Sequence, residues 1–168
     1  MKNIVLIGIM GCGKTTVAEI LGSQLNRPFM DLDAQIEKVY GPIPQLFEQG
    51  ENCFREAESR IIEEISSLSG YVISTGGGVV LIENNIMALK RNGIIFFIDR
   101  PIEKIIESVD CSTRPLLKNG PEALYAIYKK RYSLYVSYCD YHIKSTNDLS
   151  DTVGSIQKIL MNQGLMNQ

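Results

Sequence analysis

The sequence predicts an α/β fold of three layers, with a central parallel sheet of about five strands and helices on both faces. Two observations carry that expectation. Short apolar runs recur along the chain without the polar alternation of a half-exposed sheet, so the strands they form are buried on both faces. Longer segments with helical spacing separate these runs, which is the alternation that builds parallel strands. No repeat, low-complexity stretch or Pro/Gly/Ser-rich linker divides the 168 residues. At about 100–200 residues per domain, 1–168 reads as a single domain.

The elements follow in order. The apolar run 3–8 is a strand, and a helix follows over about 14–24. A shorter strand at 28–31 leads into a helix that begins near Asp33. The segment 41–44 carries prolines and reads as a turn. A long helix covers about 52–68, with Phe54, Ala57, Ile61, Ile65 and Leu68 at helical spacing. Strands are expected at 71–74 and 94–98, with a weaker one at 141–144, and a last helix runs over about 149–160. In such a sheet ligands bind where the carboxyl ends of the strands open into loops. Each motif described below falls at such an end, or in a segment able to reach one.

Composition removes several kinds of chemistry. A net charge of −2 argues against a general binder of nucleic acid or anionic membranes. His142 is the only histidine, so a multi-histidine zinc site is excluded. The four cysteines, Cys12, Cys53, Cys111 and Cys139, form no C-x-x-C pair, and their scatter fits a reducing compartment. The opening apolar run is too short for a signal peptide, and Gly8 and Gly11 break it. No run of about 18 apolar residues exists. A cytoplasmic location is expected.

Gly8-Ile9-Met10-Gly11-Cys12-Gly13-Lys14-Thr15 fits G-x-x-x-x-G-K-[ST] between a strand and a helix. The glycines let successive backbone N–H groups turn inward on phosphate oxygens. The helix N-terminus adds its dipole, Lys14 a mobile charge, and Thr15 a hydroxyl for Mg²⁺. Cys12 reads either as a thiol activated by the helix N-terminus or as a small side chain turned away from phosphate; the second is preferred. No N-K-x-D guanine reader is present, and the strand at 71–74 ends in Thr75-Gly76-Gly77-Gly78, not in a magnesium-binding aspartate. A phosphate loop in a chain this short suggests a small-molecule kinase.

The acceptor side is read from the remaining polar residues. Asp31-Leu32-Asp33 turns two carboxylates to one side of an extended segment. One can order the water shell of Mg²⁺ while the other meets an acceptor hydroxyl; seen alone Asp33 reads as the cap of the next helix, but beside the phosphate loop the functional role is preferred. Arg55 lies about 100° around its helix from the inward Phe54, where a surface pair with Glu58 is the plainer reading. Arg131 belongs to the run Lys129-Lys130-Arg131, and such runs are usually solvated faces. Tyr125, Tyr128, Tyr132 and Tyr135 form a helical stripe suited to packing. The three glycines after the third strand permit close approach of backbone to a ligand. The polar segment about 109–120, broken by Pro115 and Gly120, reads as a mobile lid carrying Arg114.

Taken together, these motifs resemble shikimate kinase over nearly the whole chain, through about Leu160. The resemblance rests on the loop 8–16, on Asp31-Leu32-Asp33, and on the F-R-x-x-E pattern of Phe54, Arg55 and Glu58. It also rests on Gly76-Gly77-Gly78-Val79, on Arg114-Pro115-Leu116-Leu117, and on Arg131 before Tyr132 and Tyr135. It implies a P-loop kinase fold and ATP-dependent phosphorylation of the shikimate 3-hydroxyl, on the route to aromatic amino acids. By the same resemblance, Gly11, Cys12, Gly13, Lys14, Thr15 and Thr16 would bind ATP. Thr15 would ligate Mg²⁺, with Asp31 assisting through water. Asp33 would hold shikimate hydroxyls and orient or deprotonate the attacking one, Arg55 and Arg131 would clamp the substrate carboxylate, and Gly77 would add a backbone contact. Arg114 would reach the ATP phosphates from the lid. The expected partners are shikimate and ATP, with neither nucleic acid nor membrane, and the expected state is a monomer. One departure stands out: many relatives carry a further arginine earlier in the lid, and 107–113 contains none. Two rival readings are a gluconate-type kinase of the same fold and a nucleotide-binding regulator without acceptor chemistry.

Overall fold

The computed structural model describes residues 1–108, 121–146 and 148–165. The expected lid, 109–120 with Arg114, lies outside the described residues. Five strands form one sheet: β1 (Asn3–Ile7), β2 (Phe29–Asp31), β3 (Val72–Ser74), β4 (Gly93–Asp99) and β5 (Tyr141–Lys144). Their order is β2-β3-β1-β4-β5, and all pairings are parallel. Every residue of β1 and β3 is buried. Alternate side chains of a strand point to opposite faces, so the sheet is covered on both. The covering helices are α1 (Lys14–Leu25), α2 (Leu32–Tyr40), α3 (Ile43–Glu48), α4 (Glu51–Ile65), α5 (Glu83–Arg91), α6 (Ile102–Ser108), α7 (Pro121–Tyr138) and α8 (Leu149–Asn162). Among them α1 packs on β1, β2, β3 and α8, while α5 and α7 pack on β4.

Three local differences from the sequence reading have physical reasons. The prolines at 42 and 44 start a helix, α3, because a fixed φ suits the first helical turn, where the missing N–H costs nothing. The long helix ends at Ile65, and Leu68 folds back in a turn with its N–H on the Ile65 carbonyl. Asp31, not Asp33, caps α2: its Oδ1 accepts from the Ala34 N–H at 3.1 Å. Leu32 already begins the helix, so the alternation of an extended segment does not relate the two aspartates.

Candidate active site

The strand order sets the site. β1 lies at the centre, and its exit carries the phosphate loop; β2 and β3 open on one side of it, β4 and β5 on the other. Gly8, Gly11 and Gly13 have φ of 148°, 78° and 97°, the region glycine enters without steric cost. At Gly8 a methyl group would also stand 2.7 Å from the Ile98 carbonyl oxygen. The loop borders a cleft of about 340 Å³, lined by Gly11, Gly13, Lys14, Thr15 and Thr16. Lys14 is buried, and its Nζ donates to the carbonyls of Gly8 at 2.8 Å and Ile9 at 3.0 Å. Cys12 is fully buried and absent from the cleft lining, with its sulfur 3.8 Å from Lys14 Nζ.

Parallel register places Asp31 opposite Ser74, so the ends of β2 and β3 emerge together. The Thr15 hydroxyl meets both: Oγ1 donates to Asp31 Oδ2 at 2.9 Å and lies 3.2 Å from Ser74 Oγ. This convergence of hydroxyl and carboxylate oxygens is the hard donor set that Mg²⁺ takes, alongside substrate phosphates. The residues therefore fit the ion. Ser74 was not singled out as a ligand from sequence, because a lone serine at a strand end carries no pattern.

The glycine turn after β3 is where the residues expected to bind the acceptor converge. A methyl at Gly76 would sit 2.9 Å from Asp33 Oδ1 and 3.3 Å from Glu58 Oε1, and one at Gly78 would sit 2.2 Å from Arg55 Nη2. From α7, Arg131 Nη1 and the Tyr135 hydroxyl donate to the Gly77 carbonyl at 3.2 and 2.6 Å. Asp33, Gly76 and Gly77 line the cleft. Neither arginine does; both reach the turn that walls it.

Arg55 bridges surface and interior: its Nη2 donates to the exposed Glu51 at 3.3 Å, and its other arm turns inward. Its Nη1 donates to Glu58 Oε2 at 2.8 Å, and the Glu58 side chain has no solvent exposure. Burial pushes the Glu58 carboxyl above the usual carboxylate range, Arg55 and Arg131 draw it down, and Asp33 pushes it up. All three charged neighbours thus act on one buried carboxyl. Lys129 and Lys130 are exposed while Arg131 is partly buried, so the cationic run divides between solvent and site. The tyrosine stripe divides too. Tyr135 is buried against Phe97, and the Tyr128 hydroxyl bonds Asp99, which also holds His142 Nε2 at 2.8 Å.

On the far side of the loop, Arg100 and Leu149 line the same cleft. The Leu149 methyls occupy the space a Gly13 side chain would need, 2.7 Å from an added Cβ. The sequence reading passed over both residues, since neither belongs to a motif.

The profile of the family described as "Shikimate kinase" matches residues 10–161. A shikimate kinase of Clostridium botulinum (strain Eklund 17B / Type B) is 48% identical over 164 residues, covering 96% of this chain and 99% of that one. The structure of a shikimate kinase from Acinetobacter baumannii in complex with shikimate superposes with a TM-score of 0.91 at 34% identity, covering 98% of this chain and 96% of that one. A shikimate kinase structure from Aquifex aeolicus gives 0.83 at 36% identity, covering 98% and 99%. With a phosphate loop, a group of hard oxygen donors and a glycine turn bordering one cleft, and with relatives of this similarity over almost their full length, the chain belongs to the shikimate kinase family.

Proposed function

We propose that this chain, acting as its family does, transfers the γ-phosphoryl group of ATP to the 3-hydroxyl of shikimate, using the residues gathered around the glycine turn. The carrying observation is that turn: Asp33, Arg55 and Arg131, from three separate helices, meet at 76–78 beside the phosphate loop. Shikimate carries one carboxylate and three hydroxyls. Guanidinium forks suit the carboxylate, and an ionised aspartate suits a hydroxyl that must lose its proton.

Each residue then has a task. The loop amides and Lys14 hold the ATP phosphates, with Lys14 exchanging its present carbonyl partners for phosphate oxygen. Arg55 and Arg131 bind the acceptor carboxylate, and Glu58 fixes the plane of Arg55. The Asp33 carboxylate orients the attacking hydroxyl and takes its proton. Thr15, with Asp31 through water and Ser74 beside them, would hold Mg²⁺, which neutralises charge on the phosphates when bound. Arg114 would reach those phosphates from 109–120. Phosphoryl transfer of this kind asks mainly for alignment and charge compensation, so no covalent nucleophile is required. A monomeric enzyme of one domain, 1–168, is part of this reading. Scattered cysteines support a cytoplasmic setting.

The test is ADP release measured with shikimate, with gluconate and with no acceptor, in the parent and in Asp33→Asn. Shikimate-dependent release that falls by at least about a hundredfold in the variant, with ADP affinity retained, supports the assignment, since proton transfer by a positioned group contributes roughly 10²–10⁴-fold. Preference for gluconate, release without acceptor, or ordinary turnover in Asp33→Asn would each overturn it.

A further inference from the structure

Helix α7 brings Arg131 and Tyr135 to the Gly77 carbonyl, and little apolar burial holds it there. Among its described side chains only Leu124 and Tyr135 are buried. Tyr128, Arg131, Tyr132 and Tyr135 follow at i, i+3, i+4 and i+7, so they share one face of the helix. That face meets the last two strands of the sheet. On β4, Phe97 and Asp99 alternate onto one side, and on β5 His142 pairs with Phe97 in register. The rings form a stack, with His142 on Phe97 at 4.8 Å and Phe97 on Tyr135 at 5.0 Å between centroids. Tyr132 stands edge-on to both Phe97 and His142. Stacked rings tolerate offset, so they fix the distance of α7 from the sheet better than its place along β4.

The directional element is a hydrogen bond: the Tyr128 hydroxyl donates to Asp99 Oδ1. The other carboxylate oxygen, Oδ2, is held by His142 Nε2 at 2.8 Å. Asp99 ends a strand whose other residues are all buried, so a carboxylate gripped at both oxygens is a fixed anchor there. Burial and that carboxylate push the Tyr128 hydroxyl above its usual value, which keeps it a donor. Tyr128 lies one helical turn before Arg131, and Tyr135, bonded to Gly77, lies one turn after it. Arg131 is thus bracketed by two anchors. We propose that Tyr128 and Asp99 are positioning residues for the acceptor: their hydrogen bond, braced by His142, sets where α7 lies on β4 and so where Arg131 presents its guanidinium. This rests on the reading of Arg131 as a ligand of the acceptor carboxylate. Neither Tyr128 nor Asp99 lines the cleft, so their influence on the acceptor passes through α7.

The experiment titrates shikimate and ADP separately, by calorimetry, into the parent, Tyr128→Phe, Arg131→Lys and the double variant, beside thermal melts. Tyr128→Phe keeps the ring and removes one hydroxyl. Losing one hydrogen bond's hold on the fork predicts about three- to tenfold weaker shikimate binding. ADP affinity stays parental, and turnover at saturating shikimate stays within about twofold, a split that places the loss in acceptor binding. In the Arg131→Lys background the same change costs less than about twofold, because the fork it positions is gone. Tyr125→Phe removes a hydroxyl bond from the same helix, to Glu103 at 2.6 Å, and leaves shikimate affinity parental. Asp99→Ala removes the anchor from the strand side; it weakens shikimate at least as much as Tyr128→Phe, and it serves the same comparison should Tyr128→Phe fail to fold. Parental shikimate affinity in folded Tyr128→Phe overturns the proposal. So does a loss that persists at full size beside Arg131→Lys, an equal loss in Tyr125→Phe, or an equal loss of ADP affinity. If Arg131→Lys itself binds shikimate as the parent does, the acceptor reading of Arg131 falls and this inference with it. If Arg131→Lys weakens binding and Tyr128→Phe does not, only the positioning is wrong.

Discussion

Replacing Gly78 by alanine puts one methyl group where the Arg55 guanidinium now lies. The added Cβ would stand 2.2 Å from Nη2, 2.6 Å from Nη1 and 2.7 Å from Cζ. Ordinary contact begins at 3.4 Å, so the guanidinium must retreat by about 1 Å. The backbone itself is no obstacle: Gly78 has φ −98° and ψ 0°, a conformation alanine adopts. Alanine also restricts the unfolded chain, worth about 0.4–1 kcal/mol in favour of folding. A retreat of that size leaves the Arg55–Glu58 pair, now at 2.8 Å, within ion-pair reach. The melting temperature should therefore stay within about 4 °C, the shift that 1 kcal/mol produces in a chain of this size. Binding of the acceptor should suffer far more. A misplaced fork loses a charge-assisted hydrogen bond of about 1.5–3 kcal/mol, or roughly ten- to a hundredfold in Kd for shikimate. ADP affinity should not change, because Arg55 is not assigned to phosphate. Calorimetric titration of shikimate and ADP, each alone, beside a thermal melt, reads all three quantities. Parental shikimate affinity in a folded Gly78→Ala would refute the claim that Arg55 acts from its observed position.

Two further outcomes follow from the same turn. Arg131→Lys keeps a cation on α7 but loses the planar fork, so shikimate affinity should drop about tenfold or more, whereas Lys130→Ala at the exposed neighbour should leave it within twofold; equal effects of the two would return Arg131 to a solvated run. Burial holds the Glu58 carboxyl above its ordinary 4.5. Over the window from that value up to the raised one, the folded protein keeps a proton the unfolded chain has shed. Unfolding then releases protons, and stability falls as pH rises. Thermal melts across mildly acidic pH should show the parent losing stability relative to Glu58→Gln as pH climbs through that window, and a constant difference would contradict the assignment.

What the sequence determined by itself was local or periodic. The unbroken apolar runs of β1 and β4 required a sheet covered on both faces, because no polar alternation was present to face water. The phosphate loop was legible because its glycines, Lys14 and Thr15 are contiguous and their function is a backbone conformation. Alone, Asp33 reads as a helix cap, and only the neighbouring phosphate loop turns the reading towards the site. The capping geometry settled the cap in favour of Asp31, a distinction of two residues that only the position of Leu32 at the helix start decides. Arg55 and Arg131 each had a plain surface reading, and no spacing could choose, since the pairing between Arg131 and Gly77 spans 54 positions. The tertiary structure decided by burial. Glu58 has no exposed surface, so its partner Arg55 is drawn to it and held against the turn, while Lys129 and Lys130 point to water. Ser74, Arg100 and Leu149 were invisible for a related reason. They are ordinary residues at strand ends and a helix start, and they meet only because parallel register and strand order bring those ends to one cleft.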